Sequence, residues 1–236
     1  MKVLTILSVL VLKALSKNLP SSFMVCDHFG SNVNECLTEA INSALVQLRN
    51  GIPEIDIPSI EPMRPGSNIT VRKNDAIISL HDVHMYNLSN AVVTDLKSNI
   101  TRESFWLAAN FSATDFTAIA NYSVHGQLLF FHLDGGGKGI IDFKDTILQA
   151  SMEGIVVNNR FRLNKFAVKV LPKLVIYDLQ NIIRDQKKFS DDVNKVFNDS
   201  WDVLFYELEP ELEELLSSIW LNYANVVLSY VPVSDK

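Results

Sequence analysis

The sequence predicts an α+β fold in which a long C-terminal helix is wrapped by a strongly curved antiparallel β-sheet, with a short N-terminal helix at one end. Three observations carry this. Strand-like segments run almost without interruption from Asn68 to about Ile183, one apolar stripe at helical spacing runs from Val193 to Tyr230, and a shorter stripe of the same kind lies at 33–48. A helix with one apolar face must bury it against something large, and only the strands offer that much surface. The sheet is therefore expected to curl round the helix.

The first helix rests on Val33, Leu37, Ile41, Ala44 and Leu48, which recur at steps of three and four residues, and Gly51 stands where a C-terminal cap belongs. The segment that follows, "IPEIDIPSIEPMRPG", holds four prolines and reads as an extended connector.

The strand region includes "NITVRK", "AIISL", "SFWLAANF", "YSVHGQLLFF", "GIIDF", "GIVVNNRFRL" and "FAVKVLPKLVIYDL", rich in Val, Ile and Phe and divided by Gly, Asn and Asp. Gly135-Gly136-Gly137-Lys138-Gly139 resembles a phosphate loop at first sight. A P-loop needs a hydroxyl residue after its lysine, but Lys138 is followed by Gly139, and Ile140 stands where a dinucleotide fingerprint needs its third glycine. The stretch is expected to be a wide hairpin turn between two strands.

Six N-x-S/T sequons, at Asn68, Asn87, Asn99, Asn110, Asn121 and Asn198, supply acceptors for N-linked glycans and help to orient the strands. A glycosylated Asn faces solvent, so its neighbours in a strand face inward. Asn110 thereby turns Phe105, Leu107, Ala109 and Phe111 inward, and Asn121 does the same for Tyr122, Val124, Leu128 and Phe130. The parity fails at Asn87, which would bury Asp82 and His84; either a bulge lies nearby or that sequon is unused.

In the C-terminal region Val193, Phe197, Trp201, Leu204, Leu208, Leu212, Leu215, Ile219, Tyr223, Val226 and Tyr230 make one stripe that continues through Pro210. Proline removes the hydrogen bond to the Tyr206 carbonyl, so a kink there, or a break into two collinear helices, is expected. Ser190 is the expected N-cap.

The chain opens with Lys2, an apolar run from Val3 to Leu12 and small residues at Ala14 and Ser16. This is the pattern of a secretory signal peptide over 1–16, leaving 17–236 as a single extracellular domain. No later run is long enough to span a bilayer, so no stable membrane insertion is expected. Cys26 and Cys36 are the only cysteines and, in an oxidising compartment, are expected to form a disulfide. The formal net charge is −6, and loss of Lys2 and Lys13 makes the mature chain more acidic still, which argues against nucleic acid as a partner. His81 and His84 fall on opposite faces of a strand with no third ligand near, so neither a metal nor a cofactor is expected. No G-x-S-x-G or H-E-x-x-H motif is present, and an enzyme is not expected.

Several of these stretches together resemble a known family. The two cysteines after a leader, "LRNGIPEIDIP" (48–58), "EPM" (61–63), "YSVHGQLLFF" with the glycines after it, and "VNKVFNDSWDVLFYELEPELEELLSSIWLNYANVVLSYVP" (193–232) look like the insect takeout and haemolymph juvenile-hormone-binding proteins. The resemblance covers nearly the whole mature chain. It implies a tubular lipid-binding fold around an apolar tunnel, and a secreted, most simply monomeric carrier of a small lipophilic ligand such as a juvenile-hormone-like terpenoid or a fatty acid. A tunnel of this kind would be lined by Leu37, Ile41 and Leu45 of the first helix, by Phe105, Leu107, Phe111, Tyr122, Val124, Leu128 and Phe130 of the strands, and by Trp201, Leu208 and Trp220 of the long helix. The alternative is a module of the same fold that binds a protein or a membrane surface and holds no dedicated small ligand.

Overall fold

The computed structural model describes residues 19–66 and 68–234. The leader expected over 1–16 lies outside the described residues. Helix α1 (Val33–Gln47) tightens into a 3₁₀ turn, Leu48–Asn50, and ends on Gly51 at φ 70, as the spacing predicts. Cys26 and Cys36 are bonded, which ties the segment before α1 to its first turn. They stand ten positions apart in the sequence, so a Cys26→Ser/Cys36→Ser variant is expected to lose about 2–3 kcal/mol in denaturant unfolding.

Strands β1 (Ile69–Lys73), β2 (Ala76–Tyr86), β3 (Val92–Ile100), β4 (Ser104–Leu128), β5 (Phe131–Val157), β6 (Arg160–Leu171) and β7 (Leu174–Leu179) form one sheet in which every pairing is antiparallel. The order is β1-β2-β4-β5-β6, with β3 added to β4 and β7 to β5. The spine is the pair β4 and β5, of 25 and 27 residues. Strands of that length twist and bend, and each takes different outer neighbours along its course: β3 then β2 on β4, β7 then β6 on β5. Of the two alternatives at Asn87, a nearby bulge or an unused sequon, the bulge is present, as a register shift between His81 and His84 with Asp82 at φ 51.

The glycine stretch is not the turn. Leu128 pairs with Phe131, and the two-residue turn is Leu129-Phe130, with Leu129 at φ 53. Phe130 therefore stands at the hairpin tip, 72% exposed, not inward as the parity implies. Gly135 to Gly139 lie within β5 opposite Val124 to Ala120. Gly135, Gly136 and Gly137 are small because other backbone passes close: a Cβ on Gly135 would come to 2.1 Å from the Asn181 carbonyl oxygen.

The C-terminal stripe is carried by two helices, α2 (Lys187–Asp199) and α3 (Trp201–Leu228), which meet at Ser200 with φ −129 and ψ 46. The break is thus not at Pro210, which lies inside α3 on its exposed side, as does Tyr206 one turn before it. Ser190, expected as the N-cap, lies a turn inside α2. There it is buried and its hydroxyl both donates to the Ile183 carbonyl and accepts from the Ile183 N–H.

Both helices cap sheet edges with side chains that imitate a neighbouring strand. Asn194 and Asn198 of α2 each accept from and donate to one residue of β7, Leu179 and Tyr177 respectively. On α3, Asn225 does the same for Leu163 of β6, while Ser217 and Glu213 accept from Val168 and Val170. The far side of α3 reaches the opposite edge, where Lys73 at the end of β1 pairs with Glu211 at 3.2 Å. Helix α3 therefore closes the gap between the two edges of the rolled sheet.

Candidate functional site

Closure leaves space inside. Between the concave face of β2, β4, β5 and β7 and the inner faces of α2 and α3 lies a cavity of about 190 Å³. Its walls follow from strand alternation and helical spacing: Ile78 and Leu80 from β2; Ala118, Ala120, Tyr122, Val124 and Leu128 from β4; Leu133, Ile141 and Phe143 from β5; Tyr177 and Leu179 from β7; Phe197 from α2; Leu204, Phe205, Leu208, Leu212 and Leu215 from α3. Two small wall residues open the space. Ala118 and Ala120 stand where larger side chains would meet the helices, and Gly139 faces the Tyr122 ring, its would-be Cβ 3.2 Å from a ring carbon.

Polar atoms on this wall are few. The Tyr122 hydroxyl donates to the Gln180 carbonyl at 2.9 Å. Burial pushes its pKa up, and the nearby Asp178 carboxylate adds to the shift. Burial likewise raises that of Tyr177, so both phenols stay neutral hydrogen-bonding groups at any physiological pH. Among the described residues Glu211 is the one charged residue on the wall, and it is held by Lys73.

The residues singled out from the sequence divide into groups. Tyr122, Val124, Leu128 and Leu208 line the cavity. Leu37, Ile41 and Leu107 belong to a second, separate cluster under α1, with Val93, Leu96 and Ala109; Phe111 packs against both clusters. Phe105 packs edge-on against Phe161, with ring centroids 5.1 Å apart. Trp220 stacks on Phe166, Trp201 lies beside Phe205, and Leu45 packs against the main core without reaching the cavity. The β7 and α2 wall, Tyr177, Leu179 and Phe197, was not among the residues picked from the sequence. Its signal was the alternation in "LVIYDL", where Val175, Tyr177 and Leu179 share one face.

A rolled antiparallel sheet closed by a helix over an apolar cavity defines a tubular α+β fold, and comparison with known proteins agrees. The family model for haemolymph juvenile hormone binding protein matches residues 4–235, and the chain belongs to that family. It is 23% identical over 208 residues to the circadian clock-controlled protein daywake of Drosophila melanogaster, covering 79% of this chain and 80% of that protein. The daywake protein of Drosophila yakuba matches at 23% over 210 residues, with the same shares. The crystal structure of Takeout 1 from Epiphyas postvittana shares the fold, with a TM-score of 0.75 at 18% identity over 85% of this chain and 94% of that one. Among the described residues no helix is long and apolar enough to cross a membrane.

Proposed function

We propose that this protein is a secreted carrier, which binds a small lipophilic molecule of terpenoid or fatty-acyl type in the cavity and transports it in extracellular fluid. The observation that carries this reading is the cavity wall, apolar on nearly every side and left unfilled by side chains of a core that is otherwise closely packed. Empty apolar volume forfeits contact energy in the unliganded protein, and a ligand that fills it recovers that loss while leaving water at roughly 25 cal/mol per Å² of apolar surface. Family membership and the shared fold support the same reading.

The test is to fill the space from the wall. Ala118 and Ala120 line the cavity; Ala118→Phe and Ala120→Phe are each expected to weaken binding of a fluorescent lipid or a juvenile hormone analogue at least tenfold, about 1.4 kcal/mol. Circular dichroism should show the fold retained. Organic extracts of the secreted protein, analysed by mass spectrometry, should contain a lipid; a wild type that carries none and binds no apolar probe overturns the carrier reading in favour of a surface-binding module.

A further inference from the structure

We infer that the cavity selects neutral lipids over anionic ones, and that Glu211 is the residue that enforces the choice. The inference rests on the carrier reading and sharpens it to a ligand class. A carrier for carboxylates places a cation where the head group comes to rest, because an ionised group leaves water only when it is paired. Among the described residues this wall has none: its lining holds no lysine, arginine or histidine.

The cation beside Glu211 is already committed. Lys73 lies 3.2 Å from a Glu211 carboxylate oxygen and 4.0 Å from one of Glu207, with its side chain only 21% exposed. Two carboxylates share one ammonium, so the local sum is negative, and a lipid carboxylate arriving at this point adds a third acid to a single base. Asn74, the next residue after Lys73, donates to Glu207 and holds that second carboxylate in place. The other polar feature of the wall gives no relief. The Tyr122 hydroxyl has spent its proton on the Gln180 carbonyl, and Asp178 adds negative potential beside it.

An ester, ether, ketone or alcohol escapes both penalties. It carries no charge into the apolar volume, and a lipid hydroxyl can donate to the Tyr122 oxygen or to Glu211 without displacing Lys73. Glu211 thus rejects the wrong ligand by repulsion, while the rest of the wall, being apolar, discriminates little between chains of similar shape.

The experiment compares a saturated fatty acid with its own methyl ester by displacement of a fluorescent lipid at pH 7.4, in wild type and in Glu211→Gln. Wild type is expected to bind the ester at least tenfold more tightly than the acid. Glu211→Gln keeps the size of the side chain, leaves Lys73 with Glu207 alone, and should narrow the ratio several-fold, by strengthening acid binding more than it changes ester binding. Acid binding equal to ester binding in wild type overturns the inference and leaves the carrier reading standing, as does a ratio that Glu211→Gln fails to move. Should Glu211→Gln not fold, Glu211→Met, which also removes the charge, is read in its place, and a ratio that it fails to move overturns the inference. If neither lipid binds wild type, the carrier reading falls and this inference with it.

Discussion

Replacing Gly135 with alanine is expected to destabilise the protein by about 3 kcal/mol and to lower its melting temperature by roughly 6–12 °C. The new Cβ would stand 2.1 Å from the Asn181 carbonyl oxygen and 2.5 Å from that of Ile182. Both are backbone atoms, so no side chain can swing aside. The segment they belong to joins β7 to α2 and is fastened across β5: Gly136 N–H donates to the Asn181 carbonyl, the Asn181 amide donates back to the Gly136 carbonyl, and Arg184 N–H donates to the Asp134 carbonyl. A methyl group at 135 must push this crossing away and break part of that set. Ile182 lines the cavity, so the shift also reaches the site. Gly66 is the control. It has φ 78 and nothing within 4 Å of its would-be Cβ, so Gly66→Ala carries only backbone strain, about 1 kcal/mol. Equal melting temperatures for the two variants would show that close approach is not why Gly135 is a glycine.

That same crossing explains what the sequence concealed. A glycine run between apolar strands looks alike whether it turns the chain or lets another backbone lie on it, and only the partner in space, here the Asn181 segment, separates the two. The real turn uses Leu129-Phe130, which carries no turn residue at all. Strand β3 was invisible for a different reason. Its buried positions, Val93 and Leu96, are an odd number of residues apart because a register shift falls between Val93 and Asp95, and the period of two is lost. The apolar stripe of the C-terminal region was legible along its length, since Val193, Phe197 and Leu204 are buried in a single core. For that reason it could not reveal the break at Ser200: both helices turn the same face to the interior, and the periodicity runs across the junction. Inward parity likewise marked Tyr122, Val124 and Leu128 correctly, yet parity says only that a residue points in. Whether it meets the cavity or the cluster under α1 depends on where β4 passes from one neighbour to another, and that is a property of the assembled sheet.

Asn198 provides the second large effect, because one side chain there serves two readings that an experiment can separate. As a sequon with Ser200 it is a glycan acceptor; in the fold it is an edge cap. Its amide oxygen accepts from Tyr177 N–H at 2.8 Å, and its amide nitrogen donates to the carbonyls of Tyr177 at 2.8 Å and Asn194 at 2.9 Å. Both amide hydrogens are in use, and an N-linked sugar replaces one of them. We therefore expect Asn198 to be found bare by peptide mapping, and any glycans to reside at other sequons, such as the exposed Asn68, Asn99 and Asn121. Asn198→Ala is expected to cost about 3 kcal/mol, since it leaves the N–H and C=O of the buried Tyr177 without partners at an edge that α2 shields from water. Ser200→Ala destroys the same sequon but touches none of these bonds. Ser200 is exposed and makes no side-chain cap, so its loss is expected to change stability by less than about 0.5 kcal/mol. Denaturant unfolding of the two variants decides between the roles. If Ser200→Ala were as damaging as Asn198→Ala in a glycosylating host, a sugar would be what stabilises this edge; if only Asn198→Ala is damaging, the amide itself is the missing strand of β7.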